Sequence, residues 1–441
     1  MLLQDARGLA MSGAGAAERE AYETALHQFN CYIGDPVATI SAALAERPDF
    51  AMGQVMKAYL FLSSTEAGGL PVARECLEAL NKALLNERER AHAEVVETLL
   101  EGRMEAAQQK LEAILLTWPR DLLALQIAHL FDFFLGDARN LRDRVARRLH
   151  AWSARDASWH AILGMHAFGL EEMGQYEQAE EKGRAAVELE KRDGWAWHAV
   201  AHVKEMQNRP DEGIAWLAPN AEHWGPDSIF DVHNWWHLAL FHLEQDETQR
   251  VLELYDGPIR QDRSSTSLDM IDASAMLWRL MLRGVPVGQA RWEEIANAWS
   301  PFVEDGVYAF NDVHGLMAFI GAERHDLADR QLVTIKRAAA GKGQMGEGSN
   351  QTMARQVGVP VAEALLAFGR GKYAITIEKL QHIRPVANRF GGSHAQRDLI
   401  DLTLIEAAKR SGHRELLVAL AGERAAARPH SPLARRYAEA A

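Results

Sequence analysis

The sequence predicts an all-α fold assembled from repeated pairs of antiparallel helices, and three observations carry that reading. Apolar residues recur at i, i+3, i+4 and i+7 almost everywhere, as in LLALQIAHLFDFFLGDA and AILGMHAFGLEEMGQYEQA, whereas the period-two alternation of strands is nearly missing. The interruptions are short and carry Gly, Asp, Asn or Pro. They are also periodic. Gly34, Gly68, Gly102 and Gly136 stand 34 residues apart, Gly174, Asn208, Asp246 and Gly284 follow in steps of 38, 34, 38 and 38, and looser equivalents lie near His325, Gly371 and Gly412.

A unit of 34 residues made of two antiparallel helices is the period of the tetratricopeptide repeat. Glycine is expected where the first helix of each unit ends, because the chain needs a left-handed residue there. The unit around Gly102 ends its second helix at Pro119, and the unit around Gly174 keeps small or signature residues at Ala167, Tyr176, Ala179 and Ala186. The expected organisation is an N-terminal segment 1–20 followed by one tetratricopeptide-like helical-repeat solenoid over 21–441. Its repeats are regular over about 21–227 and more irregular over 228–441. About 10–11 antiparallel helix pairs would wind into a superhelix, closed or nearly closed round a central groove lined by the first helices. Residues 340–352, AGKGQMGEGSNQT, read as a mobile Gly-rich loop or lid, and 384–393, RPVANRFGGS, as a shorter interruption. Gly341, Gly343 and Gly346 have GxGxxG spacing but follow the helical run LVTIKRAAA and not a strand, so no dinucleotide site is inferred.

Composition narrows the function classes. Of 441 residues, 48% are hydrophobic and 25% charged, enough apolar surface for a large core. The net charge of −13 argues against nucleic acid or an anionic membrane as partner, since both attract basic patches. Two cysteines, Cys31 and Cys76, are too few for a disulfide framework. With no basic n-region at the start and no apolar run of membrane-spanning length, a soluble cytoplasmic protein is expected.

The chemistry concentrates in the middle. Eleven of twelve tryptophans fall between Trp152 and Trp299, and eight of eighteen histidines between His160 and His242, a density of amphipathic rings that repeat packing does not require. If Asn208 ends a first helix running from about Asp193 to Gln207, the groove-facing positions of that helix are Trp195, His198, His202, Glu205 and Met206. His198, His202 and Glu205 stand at i, i+4 and i+7 and share one face. They are the candidate catalytic group, with a histidine as base oriented by the glutamate. The next unit, HNWWHLALFHLE, adds His233, Asn234, Trp236 and His237. Farther on, Asp272, Asn311, Asp312, His314 and Arg355 stand near first-helix starts. Ser393 and Gln396 form a capping box whose amides, with Arg397, suit a carboxylate or phosphate. A divalent metal at His198, His202 and Glu205 is an alternative; the general-base glutamate of HExxH is replaced by alanine and valine, so the primary expectation is no cofactor.

The blocks WAWHAVAHVKEM, HNWWHLALFHLE, FNDVHGLMAF, RQVGVP and GGSHAQRD, in this order, resemble the tetratricopeptide repeat protein 38 family, in the form of its bacterial members. The resemblance spans most of the chain and is densest from about 190 to 400. It implies a soluble helical-repeat protein and no settled reaction. The positions that match the family's motifs are Trp197, His198, His202, Glu205, Met206, His233, Asn234, Trp236, His237, Asn311, Asp312, His314, Arg355, Gly392, Ser393, Gln396 and Arg397. Two functions are therefore expected. One is binding of a small molecule or peptide in a concave His/Trp/Glu-lined pocket, where a neutral, cationic or aromatic ligand suits the lining better than an acidic tail. The other is a hydrolase or lyase using the same His–Glu/Asp cluster.

Overall fold

The computed structural model describes residues 3–441. Apart from a two-residue antiparallel ribbon pairing Leu3–Gln4 with Ala10–Met11, its regular structure is helical. No helix among the described residues is long and apolar enough to cross a membrane. The chain divides into two compact units: one runs to Val200 and includes Glu222–Asp231, and the other comprises Ala201–Ala221 and Val232–Ala441.

In the first unit, the first helices Ala16–Cys31, Ala51–Leu62, Glu87–Leu100, Leu122–Phe134 and Trp159–Glu172 alternate with the second helices Pro36–Glu46, Gly69–Lys82, Met104–Thr117, Ala138–Ala146 and Tyr176–Leu189. Each helix packs on the next in sequence, and first helices also touch first helices. Small residues permit the close approach: Ala167, Ala179 and Ala186 are fully buried, and a Cβ on Gly169 would overlap the carbonyl of Leu141. The first helices are the inner ones. Every residue from Leu122 to Asp132 is buried, as expected of a helix enclosed on all sides. The chain just past Cys31 closes this unit on itself. The Tyr32 ring stacks on Trp195 at 5.4 Å and lies 4.9 Å from Phe230, its hydroxyl accepts a bond from Gln126 at 3.3 Å, and Ile33 bridges Ser228.

The second unit repeats the plan. Its first helices Ser267–Leu282, Ala309–Gly321, Val359–Gly369 and His394–Ser411 touch in a cycle, each meeting the next and the last meeting the first. Trp278 Nε1 donates to Thr403 Oγ1 at 3.0 Å and Arg279 donates to the Ala395 carbonyl at 2.5 Å across the closure. The helices Gln289–Trp299, His325–Ala339, Tyr373–Gln381 and Arg414–Ala427 cover the outside.

One backbone device ends the first helices. Gly102, at φ 74°, donates to the Leu99 carbonyl at 2.9 Å, and Arg103 donates to Thr98 at 3.1 Å. This paired closure, which satisfies carbonyls left over at a helix end, recurs at Gly136, Gly174, Asn208, Asp246, Gly284, Glu323, Gly371 and Gly412, all left-handed. The glycine phase therefore holds from Gly102 onward and fails in two places. Tyr32, at φ 59°, closes the first helix two residues before Gly34. Gly68 is right-handed at φ −61° and opens the second helix Gly69–Lys82, with Thr65 taking the left-handed turn. Near His325 the closing residue is Glu323. The Gly-rich stretch is shorter than expected, since a helix already begins at Ser349. Buried Asn350 pins it, accepting from Ala309 N at 2.8 Å and donating to the Gly306 carbonyl at 2.9 Å.

Glu323 holds φ 57° with an exposed side chain, a conformation that costs an L-residue about 1 kcal/mol and glycine almost nothing. Glu323→Gly is expected to stabilise the protein by up to about 1 kcal/mol in denaturant unfolding; a loss of stability would show that the left-handed closure there is not strained.

Candidate functional site

The stripe of the helix Gly194–Met206 splits between the two units. Trp195 and His198 belong to the first unit and are buried in its aromatic centre. The His198 ring lies 4.9 Å from Trp195, 5.2 Å from Phe168 and 5.1 Å from Phe230. Trp195 also meets His129 edge-on at 5.6 Å. His129, fully enclosed there, has its pKa driven down to about 3 by burial.

His202 and Glu205 belong to the second unit, with the residues from Val232 onward of the next first helix, Asp231–Glu244. His202 and His237 are fully buried with ring centroids 4.5 Å apart, and His233 meets His237 at right angles at 4.9 Å. Trp236 stacks on His233 at 5.4 Å and carries the Arg279 guanidinium 5.8 Å from its ring, within cation–π range. Two carboxylates reach the imidazoles. Asp272 Oδ2 is 2.7 Å from His233 Nδ1, and Glu205 Oε2 is 3.1 Å from His237 Nδ1. Burial lowers the pKa of His202 and His237 well below the ordinary histidine value, and the neighbouring imidazoles add to it, so both rings are neutral at pH 7. Burial raises the carboxyl of Asp272, an effect partly offset by His233.

Glu205 also lines a small cavity of the second unit, about 40 Å³ open to the centres of water-sized spheres. That is room for about three waters, not for a peptide or a drug-sized molecule. Its walls bear Lys204, Arg209, Arg279, Arg283, Arg424 and Arg428 against the carboxylates of Glu205, Glu244 and Asp398. Asp398 takes two bonds from Arg424, at 2.8 and 3.0 Å, and lies 3.7 Å from Arg279. Burial alone would raise its pKa, but Arg424 and Arg428 hold the carboxyl well below the usual range. Lys204 and Arg209 pair with Glu212, and Arg283 with Asp246 as well as Glu244, whereas the Nε atoms of buried Arg279 and Arg424 have no acceptor among the described residues.

The remaining candidates separate from this cluster to different degrees. Asn234 and Asn311 are buried, and His314 is buried with Nδ1 2.8 Å from the Phe310 carbonyl and its pKa lowered to about 4 by burial. Arg355 is exposed and lines no interior wall. Ser393 and Gln396 form the capping box, with Gln396 N donating to Ser393 Oγ at 3.2 Å and Ser393 N to Gln396 Oε1 at 3.0 Å. Arg397 turns back to the carbonyls of Gly391 and Gly392. The capping box that the spacing indicates is thus formed at that helix start. The cavity arginines were missed by sequence reasoning; the one visible signal was Arg279, a charge set within the apolar run SAMLWRLML. No protein-family model matches the chain.

Asp312 is buried. Its Oδ1 accepts from Gln331 Nε2 at 3.0 Å and its Oδ2 has no partner among the described residues. Burial, helped by the charge of Asp305, raises its pKa to about 7. The folded-state value exceeds the unfolded one, so the contribution is complete below about pH 4 and is lost as the pH rises through about 7. Asp312→Asn should remove that part of the slope and gain on the order of 3 kcal/mol over the parent at pH 8. Equal slopes for the two proteins in urea melts across this window would refute the assignment.

Proposed function

We propose that this chain is a tetratricopeptide-like repeat protein, related to the tetratricopeptide repeat protein 38 family, that binds a small molecule bearing an anionic group such as phosphate or carboxylate. The anion would sit among Arg279, Arg424 and Arg428, beside Glu205. The observation that carries this is the cavity lining: Arg279, Arg424 and Arg428 gather around one carboxylate, Asp398, and the two buried guanidinium groups of Arg279 and Arg424 each keep an unsatisfied Nε. A buried donor without an acceptor costs about 1–3 kcal/mol, a cost an anion or ordered water relieves. The neutral or cationic ligand favoured by the aromatic residues gives way on this point, because Trp195 and Trp236 are buried packing residues and the arginines line the open space. A cytoplasmic location remains part of the proposal and fits two buried cysteines that form no disulfide.

A second reading, a hydrolase or lyase, is favoured by the His233–Asp272 and His237–Glu205 pairs, in which a carboxylate fixes the tautomer and orientation of a histidine base.

Inorganic phosphate and pyrophosphate, titrated by calorimetry and in thermal melts, should bind and raise the melting temperature. Arg428→Gln, on the less buried rim, should keep the fold and weaken binding at least about tenfold, roughly 1.4 kcal/mol. Stabilisation by cationic or neutral compounds with none from phosphate or simple carboxylates would overturn the reading.

A further inference from the structure

Three buried imidazoles, those of His202, His233 and His237, meet on neighbouring first helices of the second unit. His202, His233 and His237 each bring one ring nitrogen within 4.8 Å of the other two. In two of them the other nitrogen is committed. His233 Nδ1 faces Asp272 Oδ2 at 2.7 Å, and His237 Nδ1 faces Glu205 Oε2 at 3.1 Å. A carboxylate on Nδ1 places the proton there and leaves Nε2 with its lone pair as the ligating atom. This is the arrangement by which proteins orient metal-bound histidines and raise their basicity.

We propose that His202, His233 and His237 form a binding site for a divalent transition-metal ion of the zinc class, with Asp272 and Glu205 as its orienting carboxylates. This replaces the set His198, His202 and Glu205 read from sequence: Glu205 acts through His237 and is not a ligand.

The chemistry of the surroundings agrees. Zinc–nitrogen bonds of about 2.0–2.1 Å put the nitrogens of a tetrahedral site about 3.3 Å apart, so small ring movements draw the present cluster onto an ion. Asp272 and Glu205 supply negative charge beside the site, which offsets the Arg279 guanidinium near Trp236. All-nitrogen ligation of this kind suits zinc, cobalt, nickel or copper and not magnesium or calcium, which take oxygen ligands. The inference does not depend on an anion being bound.

The full chain, stripped with a chelator, is titrated with Zn²⁺ and with Co²⁺ alone. One equivalent should bind with sub-micromolar affinity and raise the melting temperature, and Co²⁺ should give the visible absorption of a four-coordinate site with three imidazole nitrogens and a water. His237→Ala should abolish the absorption. Glu205→Gln, on the cavity wall, should keep the fold and weaken Zn²⁺ binding about tenfold, the effect of losing an orienting carboxylate. His27, Cys31 and His160 also gather ligand atoms within 4.8 Å, so Cys31→Ala is the control and should leave the affinity unchanged. Absence of stoichiometric binding by the folded parent, or full binding retained in His237→Ala, would overturn the proposal, as would loss of binding in Cys31→Ala alone.

Discussion

Everything in this fold follows from a reversal of the chain that recurs with a fixed backbone geometry. A left-handed residue one or two positions past the end of a first helix lets two amides turn back onto that helix's last carbonyls, and the second helix starts two residues later, or five after Gly284. From Gly102 to Gly412 the same closure serves glycine, asparagine, aspartate and glutamate alike. The backbone requirement is met whatever the side chain, and glycine merely meets it most cheaply. Because the reversal fixes which helix faces inward, it also decides which side chains meet across neighbouring first helices.

What meets there is repeatedly a histidine and a carboxylate. His92 Nε2 lies 2.9 Å from Asp121, His160 Nδ1 2.8 Å from Asp193 and His233 Nδ1 2.7 Å from Asp272, in each case joining consecutive first helices. Asp121 and Asp193 also accept from backbone amides at the start of their helices, at Ala124 and Ala196. Buried polar groups joined in this way hold adjacent repeats in register, at a cost if either partner is removed. A single pair of this kind is a structural clasp. The second unit differs by setting three imidazoles and a second carboxylate, Glu205, at one place, beyond what register requires.

Helical periodicity and the 34-residue spacing made the class of fold and the phase of most first helices legible, because both are local properties of the chain. Gly68 misled because a glycine at the right spacing need not be left-handed, and Glu323 was passed over because composition points to glycine. The histidine pairs joining consecutive first helices were within reach, since their partners are 29 to 39 residues apart and follow the repeat. The arginine-lined cavity was not. Arg279 meets Asp398 and Ala395 only because the inner helices of the second unit form a cycle, a contact no repeat period encodes. Spacing identified Arg355 and the Ser393 helix start, but it does not disclose that the first is exposed and the second caps itself.

The closure of each unit bears on how the chain is made. In an open array each repeat can settle on its predecessor as it leaves the ribosome, with contacts limited to neighbours. Here Tyr32 waits for Trp195 and Phe230, and Trp278 waits for Thr403, 125 residues downstream. Contacts so distant in sequence slow folding and tie the early repeats to the late ones. During synthesis, each unit therefore exists for well over a hundred residues as an unsealed arc whose inner aromatic and charged side chains are still exposed to solvent.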